Sequence, residues 1–431
     1  MSTASRSVLV LDANGQAGLS VVRSLGRRGI AVTAGSSRRL SLGRVSKYST
    51  DSFQYPDPNE SAPGFVTRLV EYLTQVEHSV VIPVRDSTST ICSKHKATIE
   101  ETGTTVAVEG WEQFERAYDK GRLFSLVEPL SVSTPRTYDP GSLAAVEEVA
   151  PDVPYPALVK PRSKTVWDDS GECHYTRVDD AHYVETPDEL VETYRRTLSQ
   201  NPVLEEQDHY PLVQEYIEGT TTTTVVVASD GDVLAHFQEE RVRTYPSSGG
   251  NSTLLRGISC PRMLESARKV IDALNWTGPA MVEFMRTPSG VPYLIEVNGR
   301  YWGSVPFAIE SGLDVLWLHY RLLQGLDVEP PESIRADRLH HRLLYLDLKW
   351  LHEQLRLGNA AAVPQFLWAC LVARQTFVST DDPLPTVWAL CEGIDLGGRA
   401  ALRSLSDSTA DTPVPGYGRT LLSRVTKSIR E

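Results

Sequence analysis

Two glutamates thirteen residues apart, Glu283 and Glu296, constrain this chain more than any other feature. Each interrupts an apolar, β-prone run, Met281-Val282-Glu283-Phe284 and Leu294-Ile295-Glu296-Val297, and Pro288-Ser289-Gly290 between them signals a turn. A hairpin over these residues sets both acids on neighbouring strands facing one shared space. Burying two like charges together is costly unless something positive sits between them. Asn298, two residues after Glu296, falls on the same strand face and adds a neutral oxygen. Two carboxylates and an amide oxygen suit Mg²⁺ shared with nucleotide phosphates. Arg300 brings a fixed positive charge to the same place. A solvated hairpin with two exposed acids is the alternative, which the apolar flanks and short turn disfavour.

With 431 residues, 41% hydrophobic and 23% charged, the chain has the size and composition of a globular protein of two to four domains. No run of about 18 apolar residues exists, so an integral membrane segment is not expected. The N-terminus enters a strand pattern directly, without a signal-peptide core, which predicts a cytoplasmic protein. Acidic residues outnumber basic ones 55 to 43, a net charge of −12 that argues against nucleic acid as a partner. Five widely spaced cysteines with no CxxC pair argue against zinc and disulfides, and for a reducing compartment.

Residues 7 to about 115 alternate strand and helix patterns: strands at 7–11, 30–34, 79–83 and 104–108, helices at 19–25, 65–73 and 91–99. That alternation predicts a doubly wound parallel sheet. The turn Asp12-Ala13-Asn14-Gly15-Gln16-Ala17-Gly18 lacks a dinucleotide fingerprint, so it reads as a strand-to-helix turn or a substrate-facing loop. Residues 111–130 read as helix, 155–300 as strand-rich with helices at 187–198 and 261–274. Two amphipathic helices, 339–357 and 366–375, follow, and the last thirty residues are polar.

Three more segments precede the acids. Ala157-Leu158-Val159-Lys160-Pro161 is a short buried strand ending in a lysine. The polar loop 163–171 after it could cradle phosphates through backbone N–H groups. Leu212-Val213-Gln214-Glu215-Tyr216-Ile217-Glu218-Gly219 is a strand that breaks at Gly219 and resumes at Thr222.

In this order (Lys120, the Lys160 strand, the Gln214–Gly219 hinge, Glu283, then Glu296-Val297-Asn298-Gly299-Arg300) the chain resembles the ATP-grasp superfamily. It looks most like the carboxylate–amine ligases and the carbamoyl-phosphate-synthase-like members, over roughly residues 1 to 325. The resemblance implies a Rossmann-like domain at 1–115 and a two-lobed ATP-grasp domain at 116–330, with a small lobe at about 130–215 and a large lobe at about 216–330. A mainly helical extension at 331–431 would follow. It implies Lys120 and Lys160 on ATP, Gln214, Glu215 and Ile217 around adenine, and Glu283, Glu296 and Asn298 on Mg²⁺, with Mn²⁺ able to replace it. Arg300 would stabilise charge during phosphoryl transfer. Arg241, Arg243 and Ser252 sit where relatives hold the carboxylate substrate and its phosphate, with Arg241 foremost. Two departures stand out. Thr221 replaces the acid that commonly takes the ribose hydroxyls, leaving its hydroxyl or Glu218 to serve. The 163–171 loop is longer and more acidic than a glycine-rich lid, so Asp168 and Asp169 are expected to face away from phosphates.

These features imply an ATP-dependent ligase that turns a small-molecule carboxylate into an acyl phosphate and passes it to an amine. The alternatives are a kinase or nucleotide-regulated binding protein of the same fold, and an NAD-dependent enzyme, which the missing fingerprint disfavours. The C-terminal helices are expected to pack on the core or form a homodimer contact.

Overall fold

The computed structural model describes residues 7–176, 182–247, 249–331, 333–335, 338–341, 346–375 and 378–391. Residues up to Val387 form one compact unit, and all that follows concerns that unit. The polar C-terminal tail read from the sequence lies outside the described residues.

The first sheet is built from β1 (Ser7–Val10), β2 (Ala31–Ser36), β3 (Asp51–Gln54), β4 (Val80–Ile82) and β5 (Thr105–Val106), in the order β3-β2-β1-β4-β5. Every pairing is parallel. The helices α1 (Gln16–Gly26), α2 (Ala62–Gln75), α3 (Asp86–Lys94) and α4 (Lys96–Glu100) connect these strands. The expected doubly wound sheet is therefore present. The single helix expected over 91–99 is two, divided at His95, which has left helical geometry. Sequence reading missed β3 because Asp51-Ser52-Phe53-Gln54 carries one apolar residue and no strand signal.

Residues 111–130, expected as one helix, are α5 (Trp111–Tyr118) and α6 (Lys120–Val127). Asp119 between them is extended, and its carboxylate accepts from Arg122 N at 3.0 Å. That N-cap starts α6 and fixes Lys120 at its first position. A four-stranded antiparallel sheet follows, ordered β10-β7-β11-β6 from β6 (Thr137–Tyr138), β7 (Ala157–Lys160), β10 (His182–Val184) and β11 (Leu212–Glu215). The helices α7 (Leu143–Val149), α8 (Pro187–Gln200) and α9 (Val203–Glu206) belong to this lobe. A small hairpin, β8 (Thr165–Trp167) with β9 (Cys173–Tyr175), projects from it.

The largest sheet has seven strands, β16-β15-β12-β13-β14-β17-β18. They are β12 (Thr220–Ser229), β13 (Asp232–Tyr245), β14 (Asn251–Gly257), β15 (Gly278–Arg286), β16 (Pro292–Asn298), β17 (Leu339–His341) and β18 (Arg374–Gln375). Asp230 and Gly231, both with positive φ, make the two-residue turn between β12 and β13. One face packs on α10 (Pro261–Ala273) and α6, through Val226, Val282 and Phe284. The other, through Val225, Phe237 and Met281, joins α11 (Val305–Glu310), α12 (Val315–Leu323) and the first sheet in one continuous core. The helix expected over 339–357 begins only at α13 (Leu346–Arg356), because Leu339–His341 extends the sheet beside β14 instead. The second expected helix is α14 (Ala362–Val372).

Candidate functional site

The hairpin expected from the spacing is β15–β16, and Glu283 and Glu296 are direct cross-strand partners. The register continues across the sheet, Glu283 to Thr223 on β12 and Thr223 to Glu239 on β13, so these four side chains form one row on one face. A bulge at Ile295, between the pairs Glu283–Glu296 and Phe284–Leu294, breaks strict alternation. Ile295 and Glu296 can then both face the ligand side. Gly299 follows Asn298 because a Cβ there would sit 2.3 Å from the ring of Trp276, a buried core residue.

Each acid is matched by a cation. Arg241 Nη2 donates to Glu283 Oε2 at 2.6 Å, and Lys120 Nζ lies 3.2 Å from Glu296 Oε2. Asn298 Nδ2 donates to Glu296 Oε1 at 3.0 Å. Arg300 Nη2 reaches Asn298 Oδ1 at 3.2 Å, but its main partner is Asp86, which it grips through both Nε and Nη2. Lys164, on the loop before β8, lies 3.5 Å from the same carboxylate. Lys160 Nζ donates to the amide oxygen of Gln214 at 2.8 Å, and Gln214 Nε2 donates to Thr137 Oγ1 at 3.0 Å.

Charge and burial set the protonation states. Burial pushes the Glu283 carboxyl up; Arg241 opposes this and Glu296 adds to it. Burial acts upward on Glu296 too, but Lys120 and Lys164 outweigh it and hold that group well below the carboxylate range. The two facing acids are thus shifted in opposite directions, Glu283 up and Glu296 down. Burial, with Lys120 nearby, lowers Lys160 to about 8. Burial raises Glu239 to about 7; Ser304 Oγ donates to one of its oxygens.

Two cavities meet at this cluster and share Glu283 and Arg241. The smaller, about 260 Å³, is bounded by Leu158, Lys160, Ile217, Met285 and Ile295, with Gln214, Glu215 and Thr221 also lining it. The larger, about 910 Å³, runs past Glu239, Glu283, Glu296, Asn298 and Arg300 to Ser252, Lys164 and Arg85. It also reaches Gly15–Gly18, so the Asp12–Gly18 turn does open onto a cavity.

The sequence-derived candidates fall as follows. Glu283, Glu296, Asn298, Arg300, Arg241, Lys120 and Lys160 converge on the junction of the cavities. Gln214, Glu215, Ile217 and Thr221 line the smaller one, although the Glu215 carboxylate accepts from Arg136 N at 3.1 Å. Ser252 borders the larger. Arg243 does not join them. It pairs with Leu254 while Arg241 pairs with Leu255, so Val242 is an extra residue and the bulge turns Arg243 out of line with Arg241. Its guanidinium meets Asp347 at 3.2 Å and stacks over Trp350 at 4.2 Å, both on α13. Asp168, expected to face away from phosphates, accepts from Ser170, Glu172 and His174 within its own turn. Sequence reading missed Asp86, Lys164 and Glu239 as site residues. Lys164 had a signal, its place in the polar loop; Asp86 had none, lying 214 residues from Arg300.

The donor set fits Mg²⁺ with a nucleotide. Among the described residues no group of three or more His, Cys, Asp or Glu could hold a metal alone. Two facing carboxylates and an amide oxygen are what Mg²⁺ requires when phosphates complete its shell.

The model of the ATP-grasp domain matches residues 181–304, so the chain carries an ATP-grasp domain. The carbamoyl phosphate synthase arginine-specific large chain of Eremothecium gossypii is 25% identical over 350 residues, covering 76% of this chain and 30% of that protein. The carbamoyl phosphate synthase large chain of Saccharolobus solfataricus is 26% identical over 252 residues, covering 55% and 22%. This chain therefore spans less than a third of the length of these relatives. Among solved structures, a biotin carboxylase–beta-gamma-ATP complex from Campylobacter jejuni superposes with a TM-score of 0.63 at 15% identity, covering 78% of this chain and 74% of that one. N5-carboxyaminoimidazole synthetase from Staphylococcus aureus gives 0.60 at 14%, covering 82% and 85%. L-amino acid ligase from Bacillus licheniformis gives 0.55 at 15%, covering 74% of each. These three likenesses establish the shared fold.

Proposed function

We propose that this ATP-grasp chain is an ATP- and Mg²⁺-dependent ligase that activates a small-molecule carboxylate as an acyl phosphate and transfers it to an amine. The observation that carries the reading is the meeting of two cavities at the Glu283–Glu296 hairpin. The smaller has the apolar walls an adenine needs, with Gln214 and the Glu215–Ile217 backbone at its edge. Thr221, which lines this cavity, would meet the ribose through its hydroxyl, with Glu218 as the alternative. Lys160 and Lys120 stand where the phosphates would emerge. The larger cavity begins at the point where a γ-phosphate would lie and has room for a second substrate.

Glu283, Glu296 and Asn298 would hold Mg²⁺, which when bound screens phosphate charge. The residues of the chain do the remainder. Arg241, which donates to Glu283 at 2.6 Å, would be available to a substrate carboxylate if Glu283 held the metal instead. Arg300 and Lys164 supply fixed positive charge beside the transferring group. The substrate carboxylate oxygen forms a bond to phosphorus as the bond to ADP breaks; the amine then displaces phosphate from the acyl carbon and gives up its proton. Carbamoyl phosphate synthase and L-amino acid ligase among the similar proteins accord with nitrogen nucleophiles. No helix of the described residues is long and apolar enough to cross a membrane. The five cysteines are free, which accords with a reducing, cytoplasmic setting.

The test is ADP release from Mg·ATP across panels of carboxylates (bicarbonate, amino acids, dicarboxylates), each with and without ammonia, amino acids or hydroxylamine. ADP formed with a matching amide or hydroxamate supports the proposal. ADP with a phosphorylated product and no transfer makes the protein a kinase, and absence of nucleotide turnover across the panel refutes both.

A further inference from the structure

Asp86 lies far outside the matched ATP-grasp segment, at the first position of α3 in the parallel-sheet domain. Nothing in the hairpin requires it. Yet it is the acid on which two of the site's cations converge: Arg300 uses two nitrogens on it, and Lys164 lies 3.5 Å away. Its side chain is 19% exposed and that of Arg300 15%, so water screens this contact weakly.

The surroundings explain why the carboxylate is held there. Asp12, buried at the end of β1, accepts from Arg85 N at 3.1 Å and from the Thr88 hydroxyl. Those two bonds bracket Asp86 and fix the turn that opens α3. The carboxylate then sits in the first turn of a nine-residue helix, where negative charge is favoured. From Asp86 the contacts run on without a gap: Arg300 to Asn298 at 3.2 Å, Asn298 to Glu296 at 3.0 Å, Glu296 to Lys120 at 3.2 Å. Lys164 and Arg300 repel one another, and Asp86, with Glu296 adding to it, offsets that repulsion.

We infer that Asp86 is a positioning residue for phosphoryl transfer, holding Arg300 and the loop residue Lys164 in the orientation that meets charge developing on the transferred group. The inference rests on the function proposed above. It makes the first sheet part of the catalytic machinery rather than a neighbour of it. With Nε and Nη2 on Asp86, Nη2 also on Asn298 and Nη1 on the Tyr301 carbonyl at 2.8 Å, the guanidinium is held from several sides and keeps one Nη1 N–H for a phosphoryl oxygen.

The experiment reads binding. Wild-type protein and D86N, R300A and D86N/R300A variants are titrated with Mg·ADP alone and with Mg·ADP plus aluminium fluoride, a mimic of the transferring phosphoryl group. Asn keeps the size of the side chain and removes its charge. In D86N the tightening produced by fluoride is expected to fall roughly tenfold or more, the scale of one charge-assisted hydrogen bond, while affinity for Mg·ADP changes by less than about threefold. In the double variant the loss should be smaller than the product of the two single losses, because with Arg300 gone only the hold on Lys164 is left for D86N to remove. Three results overturn the inference: unchanged fluoride tightening in D86N, losses that multiply in the double variant, or equal loss of both affinities with a lowered melting temperature, which marks a scaffold role. Should D86N not fold, R300K replaces it: lysine keeps the charge but cannot grip Asp86 with a planar fork, and full tightening in R300K overturns the inference. If wild-type protein binds Mg·ADP not at all, the proposed function fails first and this inference with it.

Discussion

Replacing Glu296 by glutamine separates its pairing with Lys120 from the metal-ligand role proposed for it. In the ligand-free protein it neutralises Lys120 at 3.2 Å, with side chains 10% and 21% exposed. Exposed pairs contribute about 0.2–1 kcal/mol, and breaking a fully buried one costs about 3–5 kcal/mol. This pair lies between, and glutamine keeps an oxygen for Lys120 and Asn298, so E296Q should lose about 1–2 kcal/mol of stability. The nucleotide tells the other half. With Mg·ADP at about 100 times its dissociation constant, wild-type protein gains about 2.7 kcal/mol, roughly 3 °C in melting temperature for a unit of this size. E296Q should lose that magnesium-dependent gain. In EDTA the order should reverse, because removing a negative charge beside the phosphate site relieves repulsion of free ADP.

The assay is thermal melting of both proteins in four conditions: buffer, ADP with EDTA, Mg²⁺ alone, and Mg·ADP. The crossing is the diagnostic, since general destabilisation lowers all four curves together. If E296Q keeps the full difference between Mg·ADP and ADP with EDTA, Glu296 is no metal ligand, and its pairing with Lys120 is structural.

Burial leaves Lys160 with a value of about 8, so its charge is present below that pH and lost above it. Calorimetric Mg·ADP affinity should therefore decline as pH rises beyond 8, and K160M should be weaker throughout and lack that decline. Arg243→Ala should leave Mg·ADP affinity unchanged while costing about 3 kcal/mol in urea unfolding, because it strips a buried partner from Asp347. Gly299→Ala forces a methyl against Trp276 and should cost about 1–3 kcal/mol, with loss of fluoride tightening as Arg300 shifts. Glu239 keeps a proton in the folded state up to about pH 7, whereas the unfolded chain releases it near pH 4.5. Stability should therefore fall as pH rises between those values, by at most about 3 kcal/mol, and E239Q should flatten the fall.

How much of this was legible in the sequence follows from the range of the interactions. The Glu283–Glu296 hairpin was readable because both acids interrupt apolar alternation and a turn lies between them, all within twenty residues. The α5–α6 break went unread, although Asp119 is a common N-cap residue. Arg243 was set beside Arg241 by the resemblance, and the extra residue Val242 that turns it out of line leaves no mark in Glu-Arg-Val-Arg-Thr. Asp86 could not be found at all: its partner is set by docking a parallel sheet against a separate hairpin.

The missing acid enters together with Lys164, so it leaves the cationic excess of the site as it was and changes how the charges are paired. Sequence reading supplied Lys120, Lys160, Arg241 and Arg300 against Glu283 and Glu296, a cationic excess that would hold phosphate by attraction alone. The structure adds Lys164 and Asp86 and distributes the contacts: Lys120 to Glu296, Arg241 to Glu283, Arg300 and Lys164 to Asp86. Among the described residues Lys160 is the one of these five cations without an ion pair, its amino group resting on the neutral oxygen of Gln214. It can accept a phosphate without surrendering a carboxylate, whereas Lys120 and Arg241 are paired with Glu296 and Glu283 and would be released only if those acids took a metal ion. Nucleotide alone should thus engage Lys160, and metal with nucleotide should engage the rest. On the proposed function, that ordering would tie the cation to catalysis through the residues it displaces as well as through its own charge.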